Sequence, residues 1–123
     1  MKEINVIYNR YGAPVLRLLS DWRLVSFSGK NIGFIKGENL FNYSGEYVGW
    51  IQNDVMRDRD GYVVGFGEKP IDYPAPLFPF KQLKPFPGFV ELAPLRPLTQ
   101  HVPLKPLKSF SWSQRDPISL FFQ

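Results

Sequence analysis

At 123 residues, 44% of them apolar and 16% aromatic, the chain is sized for a single domain (1–123) with a modest, aromatic-rich core. The absence of cysteine excludes disulfides and thiolate metal sites, and twelve prolines with ten glycines exclude long helices. A net charge of +4 is a weak footprint for nucleic acid, no apolar run reaches the length of a membrane span, and residues 1–8 lack the apolar core of a signal peptide, so a soluble, cytoplasmic protein with no nucleic-acid or membrane partner is expected.

Residues 4–68 carry a repeat of about sixteen residues. Ser26-Phe27-Ser28-Gly29-Lys30-Asn31-Ile32-Gly33-Phe34-Ile35 aligns with Asn42-Tyr43-Ser44-Gly45-Glu46-Tyr47-Val48-Gly49-Trp50-Ile51, and Asp58-Arg59-Asp60-Gly61-Tyr62-Val63-Val64-Gly65-Phe66 continues the series. A looser copy, Asn9 to Leu18, precedes them. Gly12, Gly29, Gly45 and Gly61 are separated by 17, 16 and 16 residues, which makes four units. Glycine between apolar-aromatic runs is a tight-turn signal because it accepts positive φ, so each unit reads as a β-hairpin. Three residues on stands a β-branched side chain (Val15, Ile32, Val48, Val64), then a second glycine and an aromatic. The first unit departs, with Leu16 and Arg17 in those last two places. A glycine within a strand marks a bend or a close approach. Further turns at residues 36–39 and 52–54 return the chain, giving eight short strands. Four hairpins that share one core favour a closed or radial arrangement, since closure removes exposed edges. The fold class is therefore all-β.

Units of the form G-x-x-[VI]-G-[FW], followed by a proline-rich tail with a late tryptophan, resemble the four-fold β-flower family of small bacterial proteins. The resemblance implies a fold and no assigned activity, so it carries no catalytic residue over to this chain.

The second half differs in composition. Residues 1–68 hold eight basic and eight acidic side chains, whereas residues 69–123 hold seven basic and three acidic ones, so the whole charge excess lies there. Ten prolines between residues 69 and 108 require extended, polyproline-like backbone. The spaces between them are apolar, which favours an ordered belt against the β-core over a floppy tail. On this reading Leu77, Phe80, Phe89, Leu95 and Leu104 are buried while Lys81, Lys84, Lys105 and Lys108 stay solvated. Pro103-Leu104-Lys105-Pro106-Leu107-Lys108 also fits a motif for proline-recognition domains, a pattern that arises freely in such chains. Residues 109–123, with alternating Ser109-Phe110-Ser111-Trp112-Ser113 and apolar Ile118 to Phe122, read as a final strand or a plug.

Chemistry-bearing patterns are sparse. His101 is the one histidine, with no orienting acid or nucleophile identifiable beside it. Asp54, Asp58 and Asp60-Gly61 approach a calcium loop but lack the acids needed at positions 56 and 67. The glycine spacings have no helix after them, so phosphate-loop readings fail. Asn42-Tyr43-Ser44 is a formal glycosylation sequon with no secretory signal to make it operative. No catalytic residue, metal or cofactor is expected. Phe34, Trp50 and Phe66 recur at equivalent positions and form a ring, either in the core or along a partner groove. These features favour a non-catalytic β-scaffold, a structural or interaction module whose partner is another protein or a second copy. The rival is a small-ligand binder or small enzyme with an aromatic pocket at the repeat axis, lined by Trp22, Trp50, Asp54 and Arg57.

Overall fold

A computed structural model describes residues 1–122. Eight antiparallel strands run as a meander: β1 (Glu3–Tyr8), β2 (Pro14–Leu19), β3 (Arg23–Ser26), β4 (Asn31–Lys36), β5 (Asn39–Phe41), β6 (Tyr47–Gln52), β7 (Val55–Asp58) and β8 (Val63–Phe66). They close into a barrel, with β8 returning to β1 through Tyr8 and Phe66. A 3-10 helix, Ser119–Phe122, follows near the end of the chain.

The four repeat units build the same local structure. In each, the residue that opens the turn exchanges backbone hydrogen bonds with the tip: Asn9 with Ala13 and Gly12, Ser26 with Lys30 and Gly29, Asn42 with Glu46 and Gly45, Asp58 with Tyr62 and Gly61. The Oδ1 of Asn9, Asn42 and Asp58 each accepts two further tip amides, which fixes the turn from its side chain. The pairing register then skips one residue, at Val15, Ile32, Val48 and Val64. The β-branched residue of the motif is thus the bulge, and it sharpens the twist that lets short hairpins close. The first unit is the most irregular, with a second register shift between Glu3 and Asn5.

The glycine after the bulge permits a close approach, of a neighbouring backbone carbonyl at Gly49 and Gly65 and of an interior side chain at Gly33. A Cβ at Gly33 would lie 2.4 Å from the ring of Phe121. Leu120 and Phe121 are buried with Ile7, Leu16, Leu24, Leu40, Met56 and Val64, so the C-terminal 3-10 helix helps to fill the interior. Residues 109–113 form no strand; Trp112 makes a single parallel bridge to Val63.

Candidate functional site

The meander places all four glycine tips at one end of the barrel, and the proline-rich segment meets them in order. The amides of Gln82, Glu91, Gln100 and Ser109 donate to the carbonyls of Gly12, Gly29, Gly45 and Gly61 at 2.8, 2.9, 2.8 and 3.1 Å. Successive donors are nine residues apart, which is three turns of a polyproline helix. From Pro76 to Ser111 the sequence divides into triplets, and seven of the twelve first positions are proline. The five that are not (Gln82, Gly88, Glu91, Gln100 and Ser109) are those whose N–H donates to a barrel carbonyl, Gly88 to Phe27. Proline stands where no donor is wanted, so no first-position N–H of this extended strand is left unpaired.

Third positions pack on the outer wall of the barrel. Phe78 lies 4.7 Å from the ring of Phe66, the guanidinium of Arg96 stands 4.8 Å over Phe34, and the ammonium of Lys105 stands 5.8 Å over Trp50. These three contacts repeat at the sixteen-residue spacing of the barrel and at multiples of nine along the segment. Val102 joins the cluster of Phe34, Phe41 and Tyr47.

Second positions face solvent. Leu77, Phe80, Phe89, Leu95 and Leu104 are each at least 96% exposed, which overturns the expectation that they are buried. The reason is geometric. A helix with three residues per turn has three edges, and the barrel engages the two that carry donors and third-position side chains. The result is one edge with a large apolar side chain at every third residue from Leu77 to Phe110, interrupted by His101. Among the lysines, Lys81, Lys84 and Lys105 are exposed, while Lys108 is half-buried in an ion pair with Asp72 at 2.8 Å.

The two ends of this segment meet on Arg57, which is wholly buried. Its guanidinium donates to the carbonyls of Gly61 and Ser109 at 2.9 Å, to Asp72 at 3.3 Å and to the carbonyl of Pro74. Asp72 thereby bridges Arg57 and Lys108. Burial works to raise the Asp72 pKa, but Lys108, Asn53 and Arg57 outweigh it and hold the carboxyl below its ordinary value. Burial lowers the pKa of Arg57, with Asp72 and Asp58 opposing it. The Tyr8 pKa is pushed up by burial and by the Glu68 carboxylate, to which its hydroxyl donates a hydrogen bond.

The residues singled out from the sequence do not gather into one pocket. Phe34, Trp50 and Phe66 lie on the outer wall, at most 1% exposed beneath the proline-rich segment, and Arg57 is the cross-strand neighbour of Trp50. Trp22 and Asp54 sit at the opposite end of the barrel, in a mouth of about 290 Å³ floored by Leu18, Ile35 and Ile51. There the Asp54 carboxylate is already engaged by Asn5 and by the amide of Lys69, both at 2.8 Å. Among the described residues, no group of three His, Asp or Glu side chains is placed to hold a metal, and no helix is long and apolar enough to cross a membrane. Reading two-residue and sixteen-residue periods overlooked the exposed edge. The signal that finds it is the three-residue recurrence of Leu or Phe after Pro.

Residues 5–122 match the family described as 4-fold beta flower protein. No curated protein and no solved structure matches the chain.

Proposed function

The chain belongs to the 4-fold β-flower family, and we propose that it works as a non-catalytic scaffold that displays its proline-rich segment as an interaction surface. One observation carries this reading: large apolar side chains at every third position are held in full contact with water by a backbone that the barrel fixes. Soluble monomers seldom expose apolar patches beyond a few hundred Å², and larger ones mark sites of interaction. The surface is also prepaid in entropy, because prolines and fixed hydrogen bonds leave little backbone freedom to lose on binding.

The test is retention of the full chain on a phenyl matrix, together with light scattering across concentration. The native protein is expected to be retained strongly, and a variant with Leu77→Ser, Leu95→Ser, Leu98→Ser and Leu104→Ser to elute early with unchanged melting. Weak retention of the native chain, with a constant monomeric mass, would defeat the reading.

A further inference from the structure

The exposed edge is not uniform around the barrel. Its first quarter, between the donors Gln82 and Glu91 and including Phe80 just before them, holds Phe80, Phe86 and Phe89, each at least 99% exposed. The places of Phe86 and Phe89 are taken by Leu95 and Leu98 in the second quarter and by Leu104 and Leu107 in the third. Three such rings present on the order of 500 Å² of aromatic surface. Charge follows the same asymmetry. The two hairpin tips that bound it present exposed Arg10 and Lys30, while Lys81 and Lys84 within it reach back to the barrel, Lys81 to the carbonyl of Glu68 and Lys84 to the carboxylate of Glu3. Of the nearby acids, Glu3 is matched by Arg17 and Lys84, whereas the exposed Glu91, which accepts the amide of Asn31, keeps its charge at the far boundary. The third tip instead presents Glu46, and the fourth presents Arg59 beside Asp60.

We infer that this Phe80–Phe89 quarter docks on the surface of an anionic lipid bilayer, its rings entering the interface and its cations meeting the headgroups. The inference rests on the interaction reading above and names the partner. Exposed phenylalanines on a rigid edge, with basic groups at the hairpin tips beside them, are what an interfacial anchor needs, because apolar insertion and headgroup attraction then add. A second copy packed symmetrically on the same quarter would set one net-basic patch against another, which opposes association.

The experiment is co-sedimentation of the full chain with vesicles of phosphatidylcholine alone or mixed with phosphatidylglycerol, at low and high salt. Binding is expected to the mixed vesicles, to weaken with salt, and to fall roughly tenfold or more in Phe80→Ser/Phe86→Ser/Phe89→Ser with its melting unchanged. Leu95→Ser/Leu98→Ser/Leu104→Ser, further round the barrel, is expected to lose less than about threefold. Absence of binding to mixed vesicles, equal binding to both kinds, or equal loss in the two variants overturns the inference. If the native chain is retained on the phenyl matrix or self-associates yet ignores vesicles, the edge is a protein interface: the membrane inference falls and the interaction reading stands. If it does none of these, both fall.

Discussion

Replacing Arg57 by methionine tests how the proline-rich segment is closed. The substitution keeps most of the side-chain volume on the outer wall but removes four contacts at once. The carbonyls of Pro74 and Ser109, at the two ends of the segment, each lose a donor, and Asp72 keeps Lys108 as its remaining cation. Hydrogen bonds to a charged group contribute about 1.5–3 kcal/mol each, and removing one partner of a buried charged pair costs about 3–5 kcal/mol. These overlap, since Lys108 still compensates Asp72, so the lower range of about 3–5 kcal/mol is the expected loss for Arg57→Met. For a domain of this size that corresponds to a fall in Tm of about 12–20 °C, read by circular dichroism or calorimetry. Arg57→Lys keeps the charge without the planar fork and is expected to recover less than half. Limited proteolysis separates local from global effects, because cleavage near residues 69–74 and 108–112 should speed up before the barrel melts. A fall of less than about 4 °C would show that the two ends are held by something other than this guanidinium, and the reasoning would fail.

Three further outcomes follow from the same contacts. Gly45→Ala places a Cβ 2.1 Å from the carbonyl of Leu98 at a φ of +85°, so about 2–3 kcal/mol should be lost through backbone strain and the Gln100 hydrogen bond. Gly37→Ala, at φ +66° with open space around it, should lose only about 1–2 kcal/mol, and chemical denaturation of the two variants checks the difference. The Asp72 carboxyl has a folded pKa below its ordinary 3.8, so its stabilisation is complete above that value and is lost as pH falls through the folded pKa. Melting followed into acid should show that loss, and Asp72→Asn should flatten it. Removing residues 69–123 uncovers Phe34, Trp50 and Phe66 on the outer wall, so the remaining 1–68 fragment should aggregate; a soluble fragment that melts cooperatively would contradict this.

How legible the fold was can be judged at particular residues. The turn glycines and the β-branched residue after them impose a local geometry, so four hairpins are legible from spacing, and an all-β arrangement, closed or radial, from the edges such hairpins would otherwise expose. That Val15, Ile32, Val48 and Val64 are bulges is not, because a bulge is a property of the pairing register and not of one strand. Arg17 looked like a defect in the repeat. In the structure it occupies the aromatic position of its unit and is matched by Glu3 at 2.7 Å, an ion pair in place of a ring. The proline-rich segment was legible as ordered, extended backbone, but its facing was not. Its order comes not from burial of second-position side chains but from five amides and a row of third-position contacts.

That distinction has a measurable consequence. If burial of second-position side chains stabilised the segment, truncating one would cost about 1.5–3 kcal/mol. Leu95 is 96% exposed, Phe86 is 100% exposed, and neither makes a packing contact that truncation could remove. Leu95→Ser and Phe86→Ser should therefore leave stability within about 0.5 kcal/mol of the native chain, as surface substitutions do. Gln100 donates its amide to Gly45 and accepts the amide of Tyr47 on its side chain, so Gln100→Pro, which deletes both bonds, should cost about 1 kcal/mol or more while leaving the apolar edge intact. Equilibrium urea unfolding of the three variants decides the matter. Loss at Leu95 or Phe86 comparable to loss at Gln100 would mean that the edge is held against the barrel in solution, and the surface described here would not be available to a partner. The expected order, with serine variants near native and the proline variant clearly weakened, separates what orders the segment from what it displays. A chain that keeps large apolar groups in water without needing them to fold has them free for another surface.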